Sequence, residues 1–181
     1  MLLPILKYPD KKLRERCLPV LDFGSIFQRQ IDDMFETMYA APGVGLAAIQ
    51  VGIFQRFLVM DVGIQEGEVI VRQPKVIVNP ELISSEGEIE WEEGCLSCPE
   101  LVVPTVRFKK VEVKALDRFG KPQHFFAEDL MSVCIQHEMD HMNGILIFDK
   151  LSRLKQDLYK QKLKKMAKEA LETEAKKTVV R

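Results

Sequence analysis

Residues 130–142, LMSVCIQHEMDHM, constrain this chain more than any other stretch. Leu130, Val133, Cys134, His137 and His141 recur at three- and four-residue spacing, which places them on one side of a helix. Met131, Ile135, Met139 and Met142 make the other faces apolar as well. A helix apolar on most sides is normally buried, so two histidines and Glu138 are carried into the interior, where each needs a partner. Histidines at i and i+4 stand about 6 Å apart on one helix side, close enough for both imidazoles to reach one metal ion. H-E-x-x-H therefore predicts a metal centre on His137 and His141, with Glu138 beside it as the proton-transfer group. Asp129 precedes the helix, and Gly144 stands where a C-cap glycine would.

A catalytic centre of this kind needs a third protein ligand and an open position. Ile147 occupies the place where a metzincin would carry its third histidine. A downstream glutamate ligand would have to be Glu169 or beyond, in a lysine-rich tail unsuited to a buried ligand, so the third ligand is expected upstream. Cys95 in WEEGCLSCPE is the best candidate, because thiolate is a strong ligand and the preceding glycine permits close backbone approach. His124, in an alternating strand segment, is the rival. Cys95 and Cys98 also spell C-x-x-C, the pattern of a redox pair or half of a zinc ribbon, but no second such pair exists, Pro99 follows directly, and no thioredoxin-like context accompanies it. Cys98, Cys17 and Cys134 are expected to pack as small hydrophobes.

Elsewhere, residues 25–40 place Ile26, Phe27, Ile31, Met34, Phe35 and Met38 at helical spacing, with Ser25 and Gln28 expected to form a capping box and Pro42 to stop the helix. From Phe57 to Phe126 the chain turns to short β-rich runs, FLVMDV, VIVNP, LVVPTV, VEVKALD and HFFAE, whose short connections predict antiparallel pairing. A last helix is expected from about Ser152, with Leu154, Leu158, Leu163, Met166 and Ala170 as its apolar stripe. The expected class is α+β: mostly antiparallel sheets packed around a central buried H-E-x-x-H helix, with a C-terminal helix. Residues 1–150 are expected to form a single catalytic domain and 151–181 a basic helical extension of it.

Of the 181 residues 46% are hydrophobic and 29% charged, values of a globular chain without a membrane span. The N-terminus lacks the pattern of a secretory signal, and cytoplasmic residence is the expectation. The net charge of −1 conceals an uneven distribution. Residues 151–181 hold ten Lys and Arg against four Asp and Glu, and the rest holds 16 against 23. A basic appendage on an acidic body suits a polyanionic partner, although a solvated lysine-rich helix is the commoner origin of such a run. GVGLAAIQVG at 43–52 lacks the third glycine and the context of a nucleotide site. It describes instead backbone that something approaches closely, with Gln50 offering an amide donor.

Taken together, GVGLAAIQ (43–50), EGCLS (93–97) and HEMDH (137–141) resemble the three signature motifs of the peptide deformylases, in the same order and at similar separations. The opening LPILKYPD, the β-rich middle and the long helical C-terminus look like the bacterial type with a C-terminal helix. The resemblance implies that Cys95, His137 and His141 bind one divalent metal, Fe(II) in the cell, with zinc, nickel or cobalt possible in purified protein. It implies Glu138 as general acid/base, and Gln50 with the Leu96 backbone N–H as stabilisers of the oxyanion. The implied reaction removes the formyl group from the N-terminal formylmethionine of newly made polypeptides and releases formate. Val44, Trp91, Leu130, Val133 and Cys134 are candidates for the methionine pocket, and backbone around Gly45 is expected to receive the extended substrate as an added strand. Because such substrates emerge from the ribosome, its RNA surface becomes the expected partner of the basic helix.

Two departures from the family pattern stand out. ELVVP replaces a segment that often carries a basic residue, and Met142 with Asn143 replaces a leucine-containing ending. Arg107 is expected to pair with Glu93 on the sign of the charges. The competing readings are a zinc peptidase of another H-E-x-x-H type and a ribosome- or RNA-associated protein with a structural metal; a glutamate beside the open position argues against the latter.

Overall fold

The computed structural model describes residues 1–67 and 69–179. The chain divides into two compact units, Met1–Ile147 and Phe148–Arg181. The first holds α1 (Ser25–Ala40), seven strands and α2 (Asp129–Met142); the second holds α3 (Arg153–Val179). This is the expected α+β class with antiparallel sheets and a C-terminal helix.

In the main sheet β1 (Gly45–Ala47), β2 (Phe57–Met60), β5 (Lys75–Cys95), β6 (Cys98–Leu116) and β7 (Pro122–Glu128) lie side by side in that order. Every ladder in it is antiparallel. β3 (Ile64–Glu66) and β4 (Val69–Val71) form a separate two-stranded sheet. All four residues of β2 are buried, which explains an apolar run without alternation: both of its faces are covered. Leu58 and Met60 join Ile77, Val111, Val113, Cys134 and Ile135 in a core on the α2 side. Phe57 and Val59 join Phe27, Ile31, Met34 and Met38 on the α1 side.

β6 alternates as a strand with one buried face must. Val103, Thr105, Arg107, Val111, Val113 and Ala115 are buried, while Val102, Val106 and Phe108 are exposed. LVVPTV and VEVKALD, two runs in the sequence, are thus one strand, with Pro104 paired opposite Glu92. The polar stretch of β5, ISSEGEIEWEE, carries little strand signal of its own. It is held as a strand by its pairing with β6, with register shifts that accommodate the irregularities.

α1 spans the expected residues, but its N-terminus is built differently. Gly24 is the N-cap, without a side-chain capping bond. The Gln28 amide donates instead to the carbonyls of Phe23 and Arg118, so the capping box does not form. Ile26, counted on the apolar face, is 76% exposed. α2 is buried from Ser132 through Glu138 and again at His141 and Met142. Gly144 follows its C-cap at φ +75°, and a Cβ there would run into the Arg14 carbonyl. On α3 the expected stripe is only partly seen: Leu154, Leu158 and Ala170 are exposed, Leu163 and Met166 are half-buried, and among the described side chains Tyr159 is buried, with its ring beside Phe148. No helix among the described residues is long and apolar enough to cross a membrane.

Candidate metal centre

Three segments meet beside a cleft of ≈ 450 Å³. α2 supplies His137 and His141. The end of β5 supplies Cys95, and the 3-10 turn Ala48–Val51 after β1 supplies Gln50. Among the described residues the donor atoms of Cys95, His137 and His141 lie within 4.8 Å of one another. His141 Nε2 is 3.2 Å from Cys95 Sγ and 3.2 Å from His137 Nε2. Ligand bonds of 2.0–2.3 Å would set tetrahedral donors roughly 3.3–3.6 Å apart, so these residues fit a divalent ion. The fit extends to chemistry, since one thiolate with two imidazoles leaves a fourth position open. His124, the alternative third donor, sits on β7 with its Nε2 2.7 Å from Glu112 and takes no part.

One donor, His137, is oriented from behind. His137 turns Nδ1 to Glu93, 2.6 Å from Oε2, which presents Nε2 to the centre. Arg107 holds the same carboxylate through Nε and Nη2 at 2.6 and 3.0 Å. Thr105 donates to it as well, and Arg107 Nη1 reaches Asp140 at 2.7 Å. Burial pushes the Glu93 carboxyl upward, but the hydrogen bonds from His137, Arg107 and Thr105 outweigh it and bring the pKa down to about 2. The expected Glu93–Arg107 pairing is present. Thr105, Asp140 and the contact to His137 were missed. β6 alternation could have placed Thr105 and Arg107 inside; nothing local marked Asp140, three residues after His137.

Cys95 is held well below the ordinary thiol range, first by a hydrogen bond from Cys98 and then by the imidazoles, against the opposing effect of burial. Glu138 is 4% exposed. Burial raises its pKa, opposed by His137 and His141, and its Oε2 has no hydrogen-bond partner. Gln50 accepts from the Ala47 N–H at 2.8 Å and donates to Ser97 Oγ at 3.2 Å. Its Nε2 also faces Cys95 Sγ at 3.7 Å. Ser97 was another residue missed from sequence. The N-terminal segment ties this corner down, Leu6 N–H donating to the Gln50 carbonyl and Tyr8 N–H to that of Ser97.

The cleft is lined by Val44, Gly45, Trp91, Leu130, Val133 and Cys134, together with Gln50, Cys95, Leu96, His137 and Glu138. All of these are residues expected at the site from the sequence, and they lie up to 94 positions apart. β1 is an edge strand. The Val44 carbonyl accepts from Asp61 N–H, so by strand alternation the backbone groups of Gly45 face away from β2, toward the open edge.

The comparisons with known proteins agree with this geometry. The family model described as polypeptide deformylase matches residues 2–157. A peptide deformylase of Chromobacterium violaceum is 47% identical over 168 residues, 93% of this chain and 98% of that protein. Peptide deformylase 1 of Shewanella oneidensis is 48% identical over 168 residues, 93% of this chain and 97% of its own. The crystal structure of a peptide deformylase from Legionella pneumophila superposes with a TM-score of 0.85 at 47% identity, covering 94% of this chain and 98% of that one. One from Ehrlichia chaffeensis in complex with actinonin gives 0.84 at 36% identity over 91% and 97%. A Cys/His/His donor set beside a cleft, a buried glutamate with one unpartnered carboxylate oxygen, and likeness along almost the whole length place this chain in the polypeptide deformylase family.

Proposed function

We propose that the cleft removes the formyl group from the N-terminal formylmethionine of newly made polypeptides, with Cys95, His137 and His141 holding one divalent metal and Glu138 moving the proton. The observation that carries this reading is the buried, partnerless Oε2 of Glu138 beside three convergent donors. A divalent ion on those donors would supply Lewis acidity, polarising a carbonyl oxygen and acidifying water. Burial keeps Glu138 basic enough to take a proton from water as it adds to the formyl carbon. The same carboxyl then returns the proton to the amine nitrogen as the C–N bond breaks, and formate leaves. Negative charge developing on the formyl oxygen is opposed by the Gln50 amide and the Leu96 N–H, each worth ~3 kcal/mol of barrier.

Glu93, anchored by Arg107 and Thr105, fixes the His137 ring. Val44, Trp91, Leu130, Val133 and Cys134 offer an apolar recess for the methionine side chain. Extended substrate would add along the free edge of β1 through Gly45, recognition that is indifferent to later side chains. The donor set suits Fe(II), zinc, nickel and cobalt alike, and availability in the cell favours Fe(II). Residues 1–150 act as one catalytic domain, 151–181 as its basic extension, and the cytoplasm is the compartment where such substrates arise.

The test is anaerobic hydrolysis of a formyl-Met tripeptide, following amine release. Glu138→Gln should retain stoichiometric metal and lose roughly 10²–10⁴-fold in kcat. Equal rates for parent and variant would remove Glu138 from the reaction, and a parent inert with iron, nickel and cobalt would overturn the reading.

A further inference from the structure

Cys98 lies outside the donor set and has no part in the mechanism above, yet it stands directly opposite Cys95. β5 ends at Cys95, β6 begins at Cys98, and the two are Cα partners across the turn Leu96–Ser97. Residues so paired project their Cβ atoms to one side, about 4.5–5.5 Å apart. The ends of a four-residue turn lie within about 7 Å, and disulfides bridge Cα separations of about 4.4–6.8 Å with Cβ atoms about 3.5–4.5 Å apart, so a bond needs the two Cβ atoms to close by roughly 1 Å. The two cysteines differ in access: Cys95 is partly exposed in the cleft, whereas Cys98 is 1% exposed. Both residues line the cleft, and the more exposed Cys95 is the one an oxidant there reaches more readily. Among the described residues Cys98 is not one of the mutually close donors, so a metal held there would draw on Cys95.

We propose that Cys95 and Cys98 form a reversible disulfide under hydroperoxide stress, which withdraws Cys95 from the metal and guards it against irreversible oxidation. The Cys95 thiolate attacks hydrogen peroxide, giving the sulfenic acid and hydroxide. The Cys98 thiol then attacks the sulfenic sulfur, the S–S bond forms, and the sulfenic oxygen departs as water. In sum, two thiols are oxidised and one peroxide is reduced to two waters. Without a resolving thiol the sulfenic acid would go on to sulfinic and sulfonic acids, which a dithiol does not reduce. Cys17 and Cys134 are buried, and burial raises both thiols, Cys17 to about 11, so neither shares this reactivity.

The experiment treats the full chain, loaded with nickel, with graded hydrogen peroxide, and follows thiol content, bound metal and the mass of the tryptic peptide 76–107. That peptide contains Cys95 and Cys98 and no other cysteine. The expected result is loss of two thiols per chain, a peptide lighter by two hydrogens, release of the metal, and return of all three on adding dithiothreitol. Cys98→Ser and Cys98→Val should instead gain oxygen on Cys95. Referred to each protein's own untreated rate, they should recover at least about tenfold less activity than the parent. Oxygenated Cys95 in the parent, a link from Cys95 to Cys134, or recovery in the variants equal to the parent's would each overturn the proposal. The peptide mass needs no substrate, so its outcome is independent of whether the cleft deformylates.

Discussion

Glu93 illustrates how a residue's role depends on what surrounds it. In the sequence it is one of two adjacent glutamates before Gly94; in the fold it is buried between His137, Arg107 and Thr105 while Glu92 stays exposed. Its folded-state pKa of about 2 lies below the ordinary 4.5. Its stabilising contribution is therefore complete above pH 4.5 and is lost as pH falls toward 2. Glu93→Gln should cost roughly 3 kcal/mol in metal-free protein at pH 7, with the gap to the parent narrowing between pH 5 and 3 in denaturant unfolding. A gap constant with pH would mean that packing, not charge, is what Glu93 contributes. Gly45 is the second such residue. A Cβ there would lie 2.6 Å from both Cys134 Sγ and Glu138 Oε1, so Gly45→Ala should displace the Glu138 carboxylate. A fall in kcat of about 10²-fold with metal content intact is the expected outcome. An unaltered kcat would show that the carboxylate tolerates the shift.

At the scale of elements, periodicity located the helices well because both α1 and α2 bury residues at helical spacing. The cap of α1 escaped it: the choice between Ser25 and Gly24 rests on where the Gln28 amide finds partners, and one of these, the Arg118 carbonyl, is 90 residues away. The β5–β6 hairpin escaped it as well, since half of β5 is polar and is a strand only because β6 pairs with it. α2 carries Leu130, Val133 and Cys134 to the cleft on the same helix as its histidines, which couples pocket shape to the centre. Leu130→Trp should fill the proposed methionine recess and lower kcat/KM for formyl-Met relative to formyl-Ala peptides by about 10–200-fold. If neither substrate notices the change, Leu130 does not line the recess.

Charge is the property that belongs to the whole chain. Ten of its 26 Lys and Arg residues fall in the last 31 positions, against four of its 27 Asp and Glu. Much of this run lies on α3, where Lys160 pairs with Asp157 and Lys165 with Glu169. Exposed pairs of this kind are weak and leave a basic helix able to engage polyanions. Deleting the residues after 160 should weaken binding to ribosomes while sparing hydrolysis of short formyl peptides. The slope of ribosome binding against salt concentration should fall by about 0.7–0.9 for every phosphate the truncated helix no longer neutralises. Ribosome binding that stays as tight and as salt-dependent in the truncated protein would assign the charge to solubility alone.

The sequence by itself determined the chemistry available: an H-E-x-x-H helix too apolar to be elsewhere than inside, a cysteine after glycine to complete the donors, and an α+β pattern to hold them. These are local matters, set by side-chain type and by the period at which residues recur. Only the tertiary structure decided which distant groups stand behind the ligands. It set Thr105 and His137 on the Glu93 carboxylate beside the expected Arg107, bonded Gln50 to Ser97, and paired Cys98 with Cys95 at the end of the β5–β6 ladder. Those contacts depend on strand register, and register is settled by the joint burial of many side chains, a sum that no single segment contains.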